Sequence, residues 1–204
     1  MSVSVKRGLF YLVGLLILSF GITMTILAGL GAGAWDALNV GLSLMTPFTV
    51  GNWVIFIGII LIILNALLSK SKPEVLSLIT IVVLGFFIDF WLLIVFPNMF
   101  ITEVILQYIV LFVGIVMMAL GIATYLQAKF AVIPIDRFMF VLQDLFKVKL
   151  MVAKTIGEVT ALITAFFAGG PIGVGTILVT FLIGPMIQFF FPKLEKMVYG
   201  TKEA

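Results

Sequence analysis

Long apolar runs separated by short polar breaks make up most of this chain. Six runs reach the roughly 20 residues that a helix rising 1.5 Å per residue needs to cross a bilayer. They cover residues 9–28, 50–68, 75–96, 108–128, 150–168 and 172–191. Between the first two lies a different pattern. Residues 35–46 predict a helix of about 12 residues, roughly 18 Å long and too short to span. Gly33 is placed to cap it, which puts Asp36 in the first turn, near the positive end of the helix dipole. Asp36, Asn39, Ser43 and Thr46 follow one another at spacings of three, four and three, so they share one face. Trp35, Leu38, Leu42 and Met45 form another.

The composition settles the class. The chain is 63% hydrophobic and only 10% charged, with a mean hydropathy of +1.35. A soluble domain carries about a quarter charged residues, so the reading is an all-α integral membrane protein forming one membrane domain, 1–204. There is no cysteine and no histidine, which removes disulfides, thiol chemistry and the usual zinc, haem and iron–sulfur ligands. Neither a metal nor another cofactor is expected. All 12 Lys and Arg fall before the first run, between runs two and three, at or between runs four and five, or after run six. The alternate loops carry only Asp36 and Glu103. Cytoplasmic loops retain Lys and Arg, so both termini are expected in the cytoplasm.

The chain also resembles itself. At an offset of 100, Val13-Gly14 matches Val113-Gly114, Gly21-Ile22 matches Gly121-Ile122, and Asp36 matches Asp136. At an offset of 99, Gly85, Ile88 and Phe90 match Gly184, Ile187 and Phe189. An internal repeat of residues 9–97 and 108–192 follows. Pro134 suits the first position of a second short helix, with Asp136 two residues on. Three spans per half is an odd number, so the second half enters from the opposite side. The expected architecture is six transmembrane helices in two inverted three-span repeats, each with a short non-spanning helix after its first span. Many secondary transporters are built this way, with the site at the repeat interface near mid-membrane.

Ionisable groups within spans are costly and point to function or to pairing. Glu158 falls near mid-depth of the fifth run with Lys154 one turn before it on the same face, either as an ion pair or as a coupling carboxylate. Asp89 lies two-thirds along the third run. Asn52, Asn65 and Gln127 read as interhelical hydrogen-bonding groups or as residues near span ends. The candidate substrate or coupling residues are therefore Asp36, Asn39, Ser43, Asp89 and Glu158, and Asp36 and Asp136 form a structural repeat pair. Gly14, Gly21, Gly114 and Gly121 read as close-packing positions.

Several motifs carry a family resemblance. They are G-x-G-x-W-D-x-L-x-x-G-L at Gly31 to Leu42, T-V-G at Thr49 to Gly51, and G-x-G-T-I at Gly173 to Ile177 followed by Gly184-Pro185. Over nearly the whole chain this resembles the YczE/YyaS/YitT group of bacterial membrane proteins. Members often have proline before W-D, where this chain has Ala34. The resemblance implies a bacterial membrane protein and names no substrate. Function rests on the residues: a small-solute secondary transporter or permease first, then a substrate-binding subunit of a multi-component importer, or a non-transporting partner assisting export or signalling. An enzyme is not expected, since no cluster of acid–base residues is visible. The partners expected are the bilayer and a small solute, with no nucleic acid; a homo-oligomer is compatible with this pattern.

Single cysteines can be introduced into this cysteine-free chain without background. Those at Asn98 and Gly170 are expected to react with an impermeant external thiol reagent in intact cells, and those at Ser71 and Thr201 are not. Labelling at Ser71 would overturn the six-span topology.

Overall fold

The computed structural model describes residues 3–199, and the described residues contain α-helices and no strand. Lys202 of the basic pattern and Thr201 lie outside them. The helices are α1 (Val3–Leu27), α2 (Ala34–Met45), α3 (Val50–Ser69), α4 (Leu76–Asp89), α5 (Val104–Leu126), α6 (Pro134–Phe146), α7 (Leu150–Phe167) and α8 (Val174–Tyr199). A π-helical turn, Phe90–Val95, extends α4. Its Trp91 indole donates to Ser19 on α1 at 3.1 Å. Six helices are long and apolar enough to cross a membrane, and the two that are not are α2 and α6. The outward faces of the spanning-length helices carry large apolar residues such as Ile63, Phe86, Ile105 and Phe181, as expected of a multi-pass membrane protein.

The centre is the pair α1 and α5. A Cβ on Gly14 would run into the backbone of Tyr125, and one on Gly121 into that of Leu18. Gly21 is equally close to Met118, and Gly114 lies against Thr25. Residue numbers rise on one helix as they fall on the other, so the two run antiparallel. Glycine on both sides lets the backbones approach, which is how helices gain packing energy where lipid offers no hydrophobic drive. Leu15, Leu18, Leu111 and Ile115 fill the remaining space. α4 packs on α1, and α8 packs on α5.

The short helices occupy opposite ends of the α3 and α7 columns. α2 lies against the start of α3, where the Trp53 indole donates to Thr46 at 2.8 Å. It also packs Ala37 and Leu38 on Ala165 and Ala168 at the end of α7. α6 takes the reverse positions. Phe138 and Leu142 pack with Leu61 in the second half of α3 and with Ala153 at the start of α7. The first turns of the two helices meet, with the rings of Trp35 and Phe138 edge to face at 6.2 Å.

The non-helical linkers leading into α2 and α6 expose backbone polar groups inside an apolar bundle, and these must be satisfied by protein. The first linker pairs with the loop before α8: Ala32 N–H donates to Pro171 at 3.1 Å, and Gly175 N–H donates to Leu30 at 2.7 Å. Gly31, at φ +101°, sits so close to Gly173 that neither position can carry a side chain. The second linker is satisfied by side chains. Arg7 donates to Ala128 at 2.7 Å, Thr80 to Ala131 at 3.1 Å, Ser77 to Val132 at 3.0 Å and Asn65 to Pro134 at 3.0 Å.

Gly121→Leu drives a side chain into the α1 backbone and is expected to lower stability by at least the roughly 1–3 kcal/mol typical of overpacking. Gly8→Leu, where nothing lies within 4 Å of the added carbon, is expected to change it little. Thermal melting in detergent compares the two.

Candidate functional site

A cavity of about 240 Å³ opens where the first turns of α2 and α6 meet. Its walls are largely aliphatic, with Leu18 and Ile22 from α1, Ile81 and Leu84 from α4 and Ile183 from α8. Against this background stand the charged or amide side chains of Asp36 and Asn39 from α2, Asp136 from α6, and Lys154 and Glu158 from α7, with the Thr180 hydroxyl of α8 bonded to its own helix at Thr176.

Local sequence explains how each gets there. Gly33 caps α2 without a side-chain bond, and Ala37 N–H closes the first turn on Gly33 at 2.7 Å. That places Asp36 in the first turn and Asn39 one turn later on the same face. Pro134 occupies the first turn of α6 and sets up Asp136 in the same way. Lys154 and Glu158, four apart, present one face of α7 to the gap between the two short helices.

The two aspartates differ in their partners. Tyr125 of α5 donates its hydroxyl to Asp136 Oδ2 at 2.9 Å. Burial raises the Asp136 carboxyl, against the pull of that hydroxyl and of the Lys154 ammonium. Asp36 has no donor among the described residues, and burial with the Glu158 charge nearby pushes it up to about 7. Asn39 is 3% exposed, and its Oδ1 meets no partner. Lys154 and Glu158 share a face as expected, yet they form no ion pair within 4.0 Å; among the described residues the ion pair is Arg137 with Glu74, at 3.0 Å.

Two candidates fall outside the cavity. Ser43 donates to Val40 of its own helix at 2.7 Å, and Thr46 serves as the acceptor for Trp53, so the polar stripe of α2 narrows to Asp36 and Asn39. Asp89 accepts from the Thr49 hydroxyl at 2.5 Å and from Gly51 N–H at 2.8 Å. It therefore fastens the start of α3 to α4, where Gly51 and Gly85 touch. The physical reason is the N-terminus of α3, whose free N–H groups and dipole attract a carboxylate. Asn65 and Gln127 make interhelical bonds, the latter to Phe191 at 3.3 Å, while Asn52 closes the capping box of α3 with Thr49. Sequence reasoning missed Tyr125, for which the eleven-residue gap to Asp136 gives no signal. It also missed that Trp35 and Met139 line the site.

Residues 5–192 match the model of a family of unknown function, DUF6198. The chain belongs to this family. It is 40% identical over 190 residues to the "Uncharacterized protein YyaS" of Bacillus subtilis (strain 168), covering 93% of this chain and 94% of that protein. It is 34% identical over 194 residues to the "Uncharacterized membrane protein YczE" of the same organism, covering 93% and 87%. An "Uncharacterized protein" of Haemophilus influenzae is 28% identical over 186 residues, covering 91% and 84%. No solved structure matches the chain. The DUF6198 chain is thus a membrane protein similar to YyaS and YczE.

The different surroundings of the two aspartates set opposite outcomes. Tyr125→Phe leaves Asp136 buried without its donor and is expected to cost roughly 1–3 kcal/mol. Asp36→Asn removes a charge that nothing pairs and is expected to leave the melting temperature unchanged or raised, as functional-site replacements often do. Melting curves of the two purified variants check this.

Proposed function

We propose that this DUF6198 chain is a small-solute secondary transporter of the bacterial cytoplasmic membrane. In this reading it is built from two inverted three-span repeats, both termini are cytoplasmic, and the solute binds between the starts of α2 and α6. The observation that carries the proposal is the central cavity, where unpaired polar side chains collect between two non-spanning helix N-termini. Secondary transporters bind at mid-membrane in this manner, at breaks in helices where half-helix ends converge.

The packing supports the repeat. Under the offset of 100, the contact Gly14–Tyr125 becomes Gly114–Thr25, and Leu18–Gly121 becomes Met118–Gly21; both images are present. The packing of α2 on α3 and α7 likewise has its image in the packing of α6 on α7 and α3.

One seam breaks the exchange. α3 and α4 are clamped by Asp89 and by the Gly51–Gly85 contact, whereas their counterparts α7 and α8 scarcely touch. Met151 stands where Gly51 would recur, Gln188 where Asp89 would recur, and a Cβ on Gly184 would meet nothing within 4 Å. In an alternating-access cycle one seam is tight while the other is loose, and the loose seam borders the cavity through Glu158 and Ile183.

Uptake by purified protein in vesicles, screened across small metabolites, tests the reading. Asp36→Asn is expected to reduce uptake of any transported solute on the order of tenfold or more, and Asp136→Asn to retain most of it. Absence of uptake across the screen, or full uptake by Asp36→Asn, would overturn the proposal.

A further inference from the structure

The unpaired atoms in the cavity share one character. Asp36 and Glu158 offer carboxylate oxygens without a donor among the described residues, and the buried Asn39 carries an Oδ1 with no partner among them. An acceptor buried without a bond is costly and seldom left so in a resting protein, so a ligand that satisfies these atoms must bring donors. Charge points the same way. Three carboxylates face one ammonium, and the two helix starts add about half a positive charge each, leaving about one negative charge unmatched. The Lys154 ammonium acts on Asp136, where Tyr125 already holds the carboxylate, and on Glu158, whereas the charge acting on Asp36 is that of Glu158. The excess therefore lies at Asp36, beside Glu158. Around them the surface is hydrocarbon: Ile57, Ile81 and Val179, with the Trp35 indole at the edge.

We infer that the cavity binds a small organic monocation, a protonated primary amine with a short apolar body. Its ammonium donates to Asp36, Glu158 and Asn39 Oδ1, and its body packs on the aliphatic wall and on Trp35. This deepens the transport reading and rests on it only for movement, since binding stands by itself. A proton is the natural competitor. A proton on Asp36 and an ammonium beside it satisfy the same charge, so binding the cation releases the proton and the exchange is one for one. The charged groups facing Asp36 are Glu158 and Lys154 on α7 and Asp136 on α6, the last bonded to Tyr125 of α5; α1, α3, α4 and α8 present no charged side chain to the cavity. Below the carboxyl's value of about 7 the proton holds the site, and above it the site is free for the cation. Affinity for the amine therefore rises with pH, by about tenfold from pH 6 to pH 8 for a site titrating at about 7.

Calorimetry on the purified full chain in detergent tests this with three molecules sharing one branched body: isoamylamine as the cation, leucine as the zwitterion and 4-methylpentanoate as the anion. Isoamylamine is expected to bind tightest, about tenfold more tightly at pH 8 than at pH 6. Asp36→Asn is expected to weaken it on the order of tenfold and to abolish the pH dependence. Asn39→Leu weakens binding while keeping that dependence, and Asp144→Asn, on the exposed end of α6, changes nothing. Should Asp36→Asn fail to fold, the pH dependence of the unaltered chain decides. Tighter binding of leucine or 4-methylpentanoate, pH-independent amine binding, or binding of none of the three would overturn the cation site. Amine binding without uptake into vesicles leaves the site standing and overturns transport. Uptake of an anion with no amine binding does the reverse.

Discussion

A peptide group released from its helix inside an apolar bundle has no water to turn to, and leaving it unbonded costs several kcal/mol. This constraint shapes the protein twice, at the linkers into α2 and α6. The first linker borrows backbone partners from Pro171 and the loop before α8, and it can do so because Gly31 and Gly173 let two main chains touch. The second is tied down by Arg7, Ser77, Thr80 and Asn65. Once both breaks are satisfied, two helices can begin in the middle of the bundle. Their starts define the cavity.

The same two starts create its electrostatic character. A helix N-terminus favours a carboxylate in its first turn, so Asp36 and Asp136 are accounted for by local structure. What differs is the third party. Tyr125 completes Asp136 and turns it into a structural fastening. Residue 25, at the matching place in α1, is a threonine whose hydroxyl bonds its own helix at Ile22. Asp36 is left without a donor among the described residues, open to the cavity and near Glu158. A similar divergence separates Asp89, fastened to α3, from Gln188. Fastening thus falls on Asp136 in one case and on Asp89 in the other, while Asp36 and Glu158 face the cavity.

Much of this was legible along the chain. The six spans follow from the lengths of apolar runs, because bilayer thickness fixes how many residues a helix needs; the start of α3 at Val50 and of α7 at Leu150 agree with that reading. Asp36 and Asp136 in first turns follow from Gly33 and Pro134 beside them, and the close approach of α1 and α5 from glycines spaced seven apart. Ser43 and Thr46 show the limit. Spacing places them on the face of Asp36, but neither lines the cavity, and both hydroxyls bond their own helix.

The sequence by itself determined what depends on neighbours in the chain: helix lengths, helix starts, the apolar exterior and the positions of buried charge. Only the tertiary structure decided which charges meet. Glu158 stands 122 residues beyond Asp36, and no periodicity relates them. They share a cavity because α2 packs on the end of α7 and α6 on its beginning, which leaves the middle of α7 facing both short helices. Lys154 sits one turn from Glu158, yet it is not its ion-pair partner. Side chains in an apolar interior are oriented by the surfaces packed around them, and those surfaces come from distant parts of the chain.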